Sequence, residues 1–273
     1  MNTTVGTILK DIIVDGLIVG AIGGTLLAHC RENLSVLITT CRIRSARKKL
    51  KTGNPKRIRH GVQMLLEIAI AKPFRRQEMI DMVVEDFFRR HFSSKGGQAV
   101  PTPEPMAAVF VDTLKSVLGL PRTDDNHHSL NVDLHQIRLV SEKGRESIYL
   151  EKMNFTGVEL WGCDFTNVDF SRSTFKNANI GGACFRSCGM EFVDLDNVKM
   201  NYSPLDQRPT IIEECLLAGS NIDKASVLQG SPEMPQLHII HSYDIEPSVA
   251  RSLREKGARI EDPPQSPRRA HSP

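Results

Sequence analysis

Met153–Met200 reads, in blocks of five, MNFTG VELWG CDFTN VDFSR STFKN ANIGG ACFRS CGMEF VDLDN VKM. The third residue of every block is apolar: Phe155, Leu160, Phe165, Phe170, Phe175, Ile180, Phe185, Met190, Leu195 and Met200. In a chain that is 40% hydrophobic, ten such residues at a preset spacing arise by chance with a probability of about 10⁻⁴, so the period is a structural signal. The first residue of a block is nearly always small or β-branched, as at Val158, Cys163, Val168, Ala178 and Cys188. The second is mostly polar, as at Asn154, Glu159, Asp164, Asp169 and Asp194.

A period of five fits neither a helix nor a simple strand. It fits a chain that runs briefly extended, turns two side chains inward at alternate positions, and then turns a corner. Corner pairs such as Thr156-Gly157, Trp161-Gly162 and Gly181-Gly182 carry residues that turns favour. Four five-residue sides close a square coil, and stacked coils satisfy their backbone groups on one another. Leu150 and Leu205 extend the register at either side, a seven-residue step follows around Asp206–Thr210, and the period resumes at Ile212, Leu217, Ile222 and Val227. This predicts about four coils, or ~19 Å of stack at ~4.8 Å per strand. Leu134 and Leu139 add an imperfect first edge, interrupted by a turn at Ser141–Glu146.

Ala178-Asn179-Ile180-Gly181-Gly182 and Val193-Asp194-Leu195-Asp196-Asn197 resemble the unit of the pentapeptide-repeat family, Ala-(Asp/Asn)-Leu-x-x. The resemblance implies an all-β right-handed quadrilateral β-helix of about twenty residues per coil, a solenoid in which each coil touches only its neighbours. Such a stack needs capped ends. Pro247–Lys256 reads as a short amphipathic helix over the C-terminal end, with Val249, Ala250 and Leu253 on one side and Gly257 as its stop. Four prolines in residues 261–273 predict a disordered tail.

Upstream, Ile12–Ala28 is an apolar run with Asp15 inside it, at the lower limit for a membrane span of ~17–25 residues. Gly16, Gly20 and Gly24 recur on one helix face, where another helix can approach closely. From Arg42 to His60 there are nine bases and no acid, with Arg42, Arg44, Arg47, Lys48, Lys49 and Lys51 nearest the apolar run. An apolar helix followed by a basic block fits the positive-inside rule and attraction to anionic lipid heads. It predicts a transmembrane helix with the rest of the chain in the cytoplasm; lying on the membrane is the other arrangement of the same pattern. A cleaved signal peptide is disfavoured by Asp11 beside Lys10, and a lipoprotein site by His29 before Cys30. The basic block lacks interleaved aromatic residues, so nucleic acid is not an expected partner.

Three helices are predicted next. Asn54 caps Pro55–Ala71, whose stripe is Val62, Leu65, Leu66, Ala69 and Ile70. Arg76–Phe92 clusters Met79, Ile80, Val83, Val84, Phe87 and Phe88. A Ser/Gly/Pro linker at Ser93–Pro103 then leads to Pro105–Leu118. This helical module is expected to dock on the first coil. Val19-Gly20-Ala21-Ile22-Gly23-Gly24, followed by Arg31-Glu32-Asn33-Leu34 and then Arg57–His91, resembles bacterial membrane-associated pentapeptide-repeat proteins. Those carry an N-terminal hydrophobic segment, a helical region and then the repeats; this chain has one such segment where many relatives have two.

Composition narrows the function. Thirty-five basic and 32 acidic residues leave a net +3, too balanced for attraction of nucleic acid by the chain as a whole. Six cysteines in 273 residues argue for a reducing compartment rather than a disulfide scaffold. No phosphate-binding glycine loop, zinc-spaced cysteine pair or nucleophile elbow occurs. Cys163, Cys188 and Cys215 fall at the small inward position, and the repeat phase turns Cys184 outward and Cys188 inward, against shared coordination. His127, His128 and His135 with Asp124 and Asp125 read as a solvated loop, and the row Glu159, Asp164, Asp169, Asp194 as a solvated face with turn-forming side chains.

The chain therefore divides into an anchor helix with basic segment (1–50), a helical module (51–125), the repeat β-helix (126–230), a capping segment (231–260) and a tail (261–273). The expected function is a non-enzymatic scaffold without catalytic, cofactor or metal residues, held at the cytoplasmic face of the bacterial inner membrane. Its expected partners are a protein of unknown identity and anionic membrane lipids. The glycine face fits self-association into a homo-oligomer as well as packing within one chain. The alternative is a duplex-mimicking modulator of a type II topoisomerase such as gyrase, as some pentapeptide-repeat proteins are. Residues 148–227 carry eleven acids against seven bases, a weak imitation of a duplex with a charge every ~1.7 Å.

Overall fold

The structure is a computed structural model that describes residues 22–93, 101–121, 131–142, 146–200, 207–227 and 237–261, with the backbone alone for 22–33. The chain divides into two units at Ser45/Ala46. The first described element is helix α1 (Ile22–Leu50), whose last turn carries Arg47, Lys48 and Lys49, where cations meet the negative end of the helix dipole. Among the described residues no helix is long and apolar enough to cross a membrane. The predicted span lies outside them apart from Ile22–Ala28, which opens α1. Gly16 and Gly20 also lie outside the described residues, and Gly24 is described by its backbone alone.

Within the second unit, α2 (Pro55–Ala71) starts as its sequence dictates. Pro55 opens the helix, and the Asn54 side chain accepts the Arg57 N–H at 3.2 Å. Its buried face is Ile58, Val62, Leu65, Ile68 and Ala69, whereas Ile70 is 64% exposed. The true stripe is centred on Ile58 and Leu65, which places Ile70 beyond its edge. At Gly61 a Cβ would stand 2.9 Å from the Ala46 carbonyl oxygen, so α2 crosses the end of α1 at a point where only glycine fits.

Helix α3 (Arg76–Val83) runs on through a π-helical segment, Val84–Arg89, to a last turn at Arg90–Phe92. The wider turn buries Asp86 along with Phe87 and Phe88. Phe88 and Phe92 meet Phe110 of α4 (Glu104–Leu118) edge-on, at centroid distances of 5.0 and 4.8 Å. Asp86 receives Arg47 Nε at 2.5 Å and Lys51 Nζ at 3.2 Å. The module meets the repeat at several points. Gln77 exchanges two hydrogen bonds with the Asn131 backbone, Arg89 Nη2 lies 2.9 Å from Asp133 Oδ2, Ser93 bridges Ile137, and the Thr102 N–H donates to the Val140 carbonyl.

The second half is a parallel β-helix. On one side β1 (Arg138–Val140), β3 (Asp164–Thr166), β5 (Cys184–Arg186), β6 (Thr210–Glu213), β7 (Leu237–Ile240) and β8 (Arg259–Glu261) stack as a six-stranded sheet. On the next side β2 (Ile148–Tyr149) pairs with β4 (Val168–Asp169). Equivalent residues are 20 apart where coils are uninterrupted, as at Asn179 and Glu159. The interval becomes 26 across the Ser141 turn and 27 where Arg186 meets Glu213. Backbone donors such as Phe155 N–H and Phe170 N–H reach the carbonyls of the next coil at 2.8 Å. All ten anchors are buried. Phe155 stacks on Phe175 at 4.6 Å, Phe165 lies 5.3 Å from Phe185, and Phe170 stands edge-on between the two columns. Such aromatic pairs add to the burial of the rings themselves.

The polar second residue of the repeat has a defined task. Asn154, Asp169, Asn179 and Asp194 each accept the backbone N–H two residues on, at 2.9–3.1 Å, which fixes the corner. The corner's second residue has positive φ, occupied by Gly157, Gly162, Asn167, Asn177, Gly182 and Asn197 among others, the residues to which that region is cheapest.

Three expectations change. Cys184 points away from the core but is fully buried. Arg208, from the segment that breaks the period, folds back along that side onto Asp164 Oδ1 (3.0 Å) and the carbonyls of Gly162 and Gly182. The repeat does not end near Val227: Leu237–Ile240, assigned from sequence to the cap, pairs in register with Thr210–Glu213. Glu261, assigned to the tail, closes β8 and accepts the His241 N–H on its carbonyl; the tail beyond it lies outside the described residues. The C-terminal helix, α5 (Pro247–Glu255), buries Leu253, and Lys256 donates to the carbonyls of Asp223 and Ala225.

Candidate functional site

The cysteines read from sequence as packing residues are buried in the coils, whereas His135, read as part of a solvated loop, and Asp164, read as part of a solvated face, are part-buried and buried respectively. Among the described residues no group of three His, Cys, Asp or Glu side chains is placed to hold a metal ion. Cys163, Cys188 and Cys215 are buried and donate to backbone carbonyls of the coils. Burial pushes the Cys163 thiol far up and the Cys184 thiol up to about 11, so neither is a nucleophile near neutral pH. His135 stacks on Trp161 with ring centroids 4.3 Å apart, and its Nδ1 lies 2.6 Å from Asp133 Oδ1 and 2.9 Å from Arg89 Nη2. His127, His128, Asp124 and Asp125 lie outside the described residues.

The basic segment is divided in its use. Arg42, Arg44 and Lys48 are exposed. Arg47 and Lys51 share Asp86, and the Lys49 ammonium lies 3.2 Å from the Met64 sulfur. Burial raises the Asp86 carboxyl pKa, but the hydrogen bonds and charges of Arg47 and Lys51 outweigh it, and the net shift is downward. Leu34, Val36, Leu37 and Ile38 of α1 are all exposed.

What remains is the outside of the β-helix, and its sides differ. The six-stranded side carries ion pairs, Arg138–Asp164–Arg208 and Arg186–Glu213. The adjoining side carries the column Tyr149, Asp169, Gly189, Leu216 and Tyr243, bridged coil to coil. Tyr149 and Tyr243 are about half exposed. At the corner of this side Phe192 has φ +54 and is 60% exposed. Its ring lies against the backbone of Gly219 one coil on, where a Cβ would meet Phe192 Cδ1 at 2.5 Å. Gly189 is needed for a similar reason, since a Cβ would stand 2.6 Å from the Asp169 oxygen that fixes its own corner. The sequence signal for Phe192 is its position at a corner, where most other units place Gly or Asn.

Residues 154–191 match the family model for pentapeptide repeats, in 8 copies. That segment is a pentapeptide-repeat array, and the structure extends its coil to either side. No curated protein matches the chain. Among solved structures it is similar to the pentapeptide repeat protein Rfr23 of the cyanobacterium Cyanothece 51142, with 14% identity over 48% of this chain and 65% of that one, at a TM-score of 0.21. It is also similar to HetL, a pentapeptide repeat protein involved in heterocyst differentiation regulation in Nostoc sp. strain PCC 7120, with 15% identity over 36% and 49% and a TM-score of 0.17. A third is a trypsin-treated form of QnrB1, a plasmid-mediated fluoroquinolone resistance protein, with 13% identity over 45% and 82% and a TM-score of 0.11. The chain spans less than two thirds of the first two structures, and likenesses this distant carry no argument of their own.

Proposed function

We propose that this chain is a non-enzymatic scaffold, tethered at the cytoplasmic face of a bacterial membrane, whose β-helix presents a rigid face to a protein partner. The observation that carries the reading is a stack with its large side chains inside, Phe192 held outside on a corner, and Tyr149 and Tyr243 held outside in a column bridged coil to coil. Exposed aromatic residues on a rigid surface are the usual anchors of protein recognition. The tether rests on the apolar run Ile12–Ala28 followed by Arg42, Arg44 and Lys48. The duplex-mimicking alternative has less support, because Lys152, Arg172, Lys176 and Arg186 stand among the acids of the repeat.

Crosslinking in native membranes, followed by recovery of the full chain, tests both halves. The chain is expected in the membrane fraction with a crosslinked protein that is lost in Phe170→Asp, where a charge would be buried in the stack. Recovery in the soluble fraction at physiological salt removes the tether. A wild-type chain without any crosslinked protein, together with inhibition of gyrase supercoiling at low micromolar concentration, replaces the scaffold by the alternative.

A further inference from the structure

We propose that the side of the β-helix bearing Phe192, Leu216 and Tyr243 binds a cationic amphipathic segment of the partner protein; the inference rests on the scaffold reading and names the chemistry of its occupant. Phe192 holds a left-handed backbone conformation, φ +54, that is costly for a bulky residue. At 60% exposure it recovers little by burial. Gly219 leaves room for its ring against the next coil, where any side chain would displace it. Leu216, half-buried, continues the apolar surface from Gly189 to Tyr243, which stands 49% exposed in the same column. None of these side chains is among the buried anchors.

Charge selects the occupant. Segments 187–193 and 214–220, stacked coil on coil, carry Glu191 and Glu214 and no lysine or arginine, and Asp244 and Glu246 follow directly on Tyr243; the cation nearest Phe192 in its corner column is the exposed Arg172, one coil before it. Glu214, Asp244 and Glu246 are exposed around the apolar column. Such a rim repels nucleic acid and anionic lipid. A second copy using the same side would set acids against acids. A segment with apolar residues on one face and Lys or Arg along its borders satisfies both parts: its apolar face covers Phe192, Leu216 and Tyr243, and its cations meet the carboxylates and the ring faces.

The test uses the full chain and a fluorescent amphipathic helix made only of Leu and Lys, followed by anisotropy, with a Leu/Glu helix of the same pattern as control. The Leu/Lys helix is expected to bind and the Leu/Glu helix not to. Phe192→Gly, which suits the local backbone and leaves the core intact, is expected to weaken binding about tenfold without lowering the melting temperature. Neutralising Glu191, Glu214, Asp244 and Glu246 to their amides should weaken it by a similar factor and flatten its salt dependence. Equal binding of both helices, or wild-type affinity in Phe192→Gly, overturns the proposal. In the membrane crosslinking experiment, a partner retained by Phe192→Gly but lost in Phe170→Asp leaves the scaffold standing and overturns this surface. A chain without any partner removes both.

Discussion

Single residues at the corners decide where this chain can be altered. Gly219 combines φ +66 with a ring 2.5 Å from where its Cβ would be. Gly219→Ala is expected to lose about 1–3 kcal/mol in urea unfolding, from backbone strain and displacement of Phe192 together. In a Phe192→Gly background the loss should fall to about 1 kcal/mol, since only the strain remains. Equal losses in both backgrounds would show that the ring is no obstacle. Corner glycines such as Gly157 and Gly182 are legible from sequence because turn chemistry is local. The demand on Gly219 is not, because the ring that excludes a side chain belongs to the neighbouring coil.

At the scale of elements, the helical module shows what a pattern conveys and what it omits. The ends of α2 and the length of α3 through Phe92 follow from Asn54, Pro55 and the apolar spacing, all visible in the chain. The π-helical segment Val84–Arg89 is not visible, since widening one turn leaves the sequence pattern almost unchanged. Its consequence is the buried Asp86, which joins α3 to the end of α1 through Arg47 and Lys51. Because the net shift of the Asp86 pKa is downward, its contribution to stability is present above the unfolded value near 4 and is lost as pH falls through the lower folded value. Arg47 and Lys51 remain partly exposed, which limits the gain. Asp86→Asn is therefore expected to cost about 1–2 kcal/mol at neutral pH, with the difference from wild type shrinking as pH falls below the unfolded value. A difference that persists unchanged in acid would refute the ion-pair account.

For the whole molecule, the stack predicts how damage spreads. Phe170 touches Phe155, Phe165, Phe175 and Phe185, so Phe170→Ala is expected to cost about 3–5 kcal/mol and to weaken the coils on either side of it. Circular dichroism and the fluorescence of the single Trp161 should then report one shifted transition. Two separate transitions would mean that the coils unfold independently. The sequence alone determined the five-residue period, the inward anchors, the corners and the helix starts, because each depends on residues within a few positions of one another. Tertiary structure decided that Leu237–Ile240 rejoins the sheet after a break in the period, that Arg208 lies along the side where Cys184 is buried, and that Phe192 is held out on Gly219. Those outcomes depend on which residues come to lie one coil apart, and insertions between coils set that register without leaving any periodic mark in the chain.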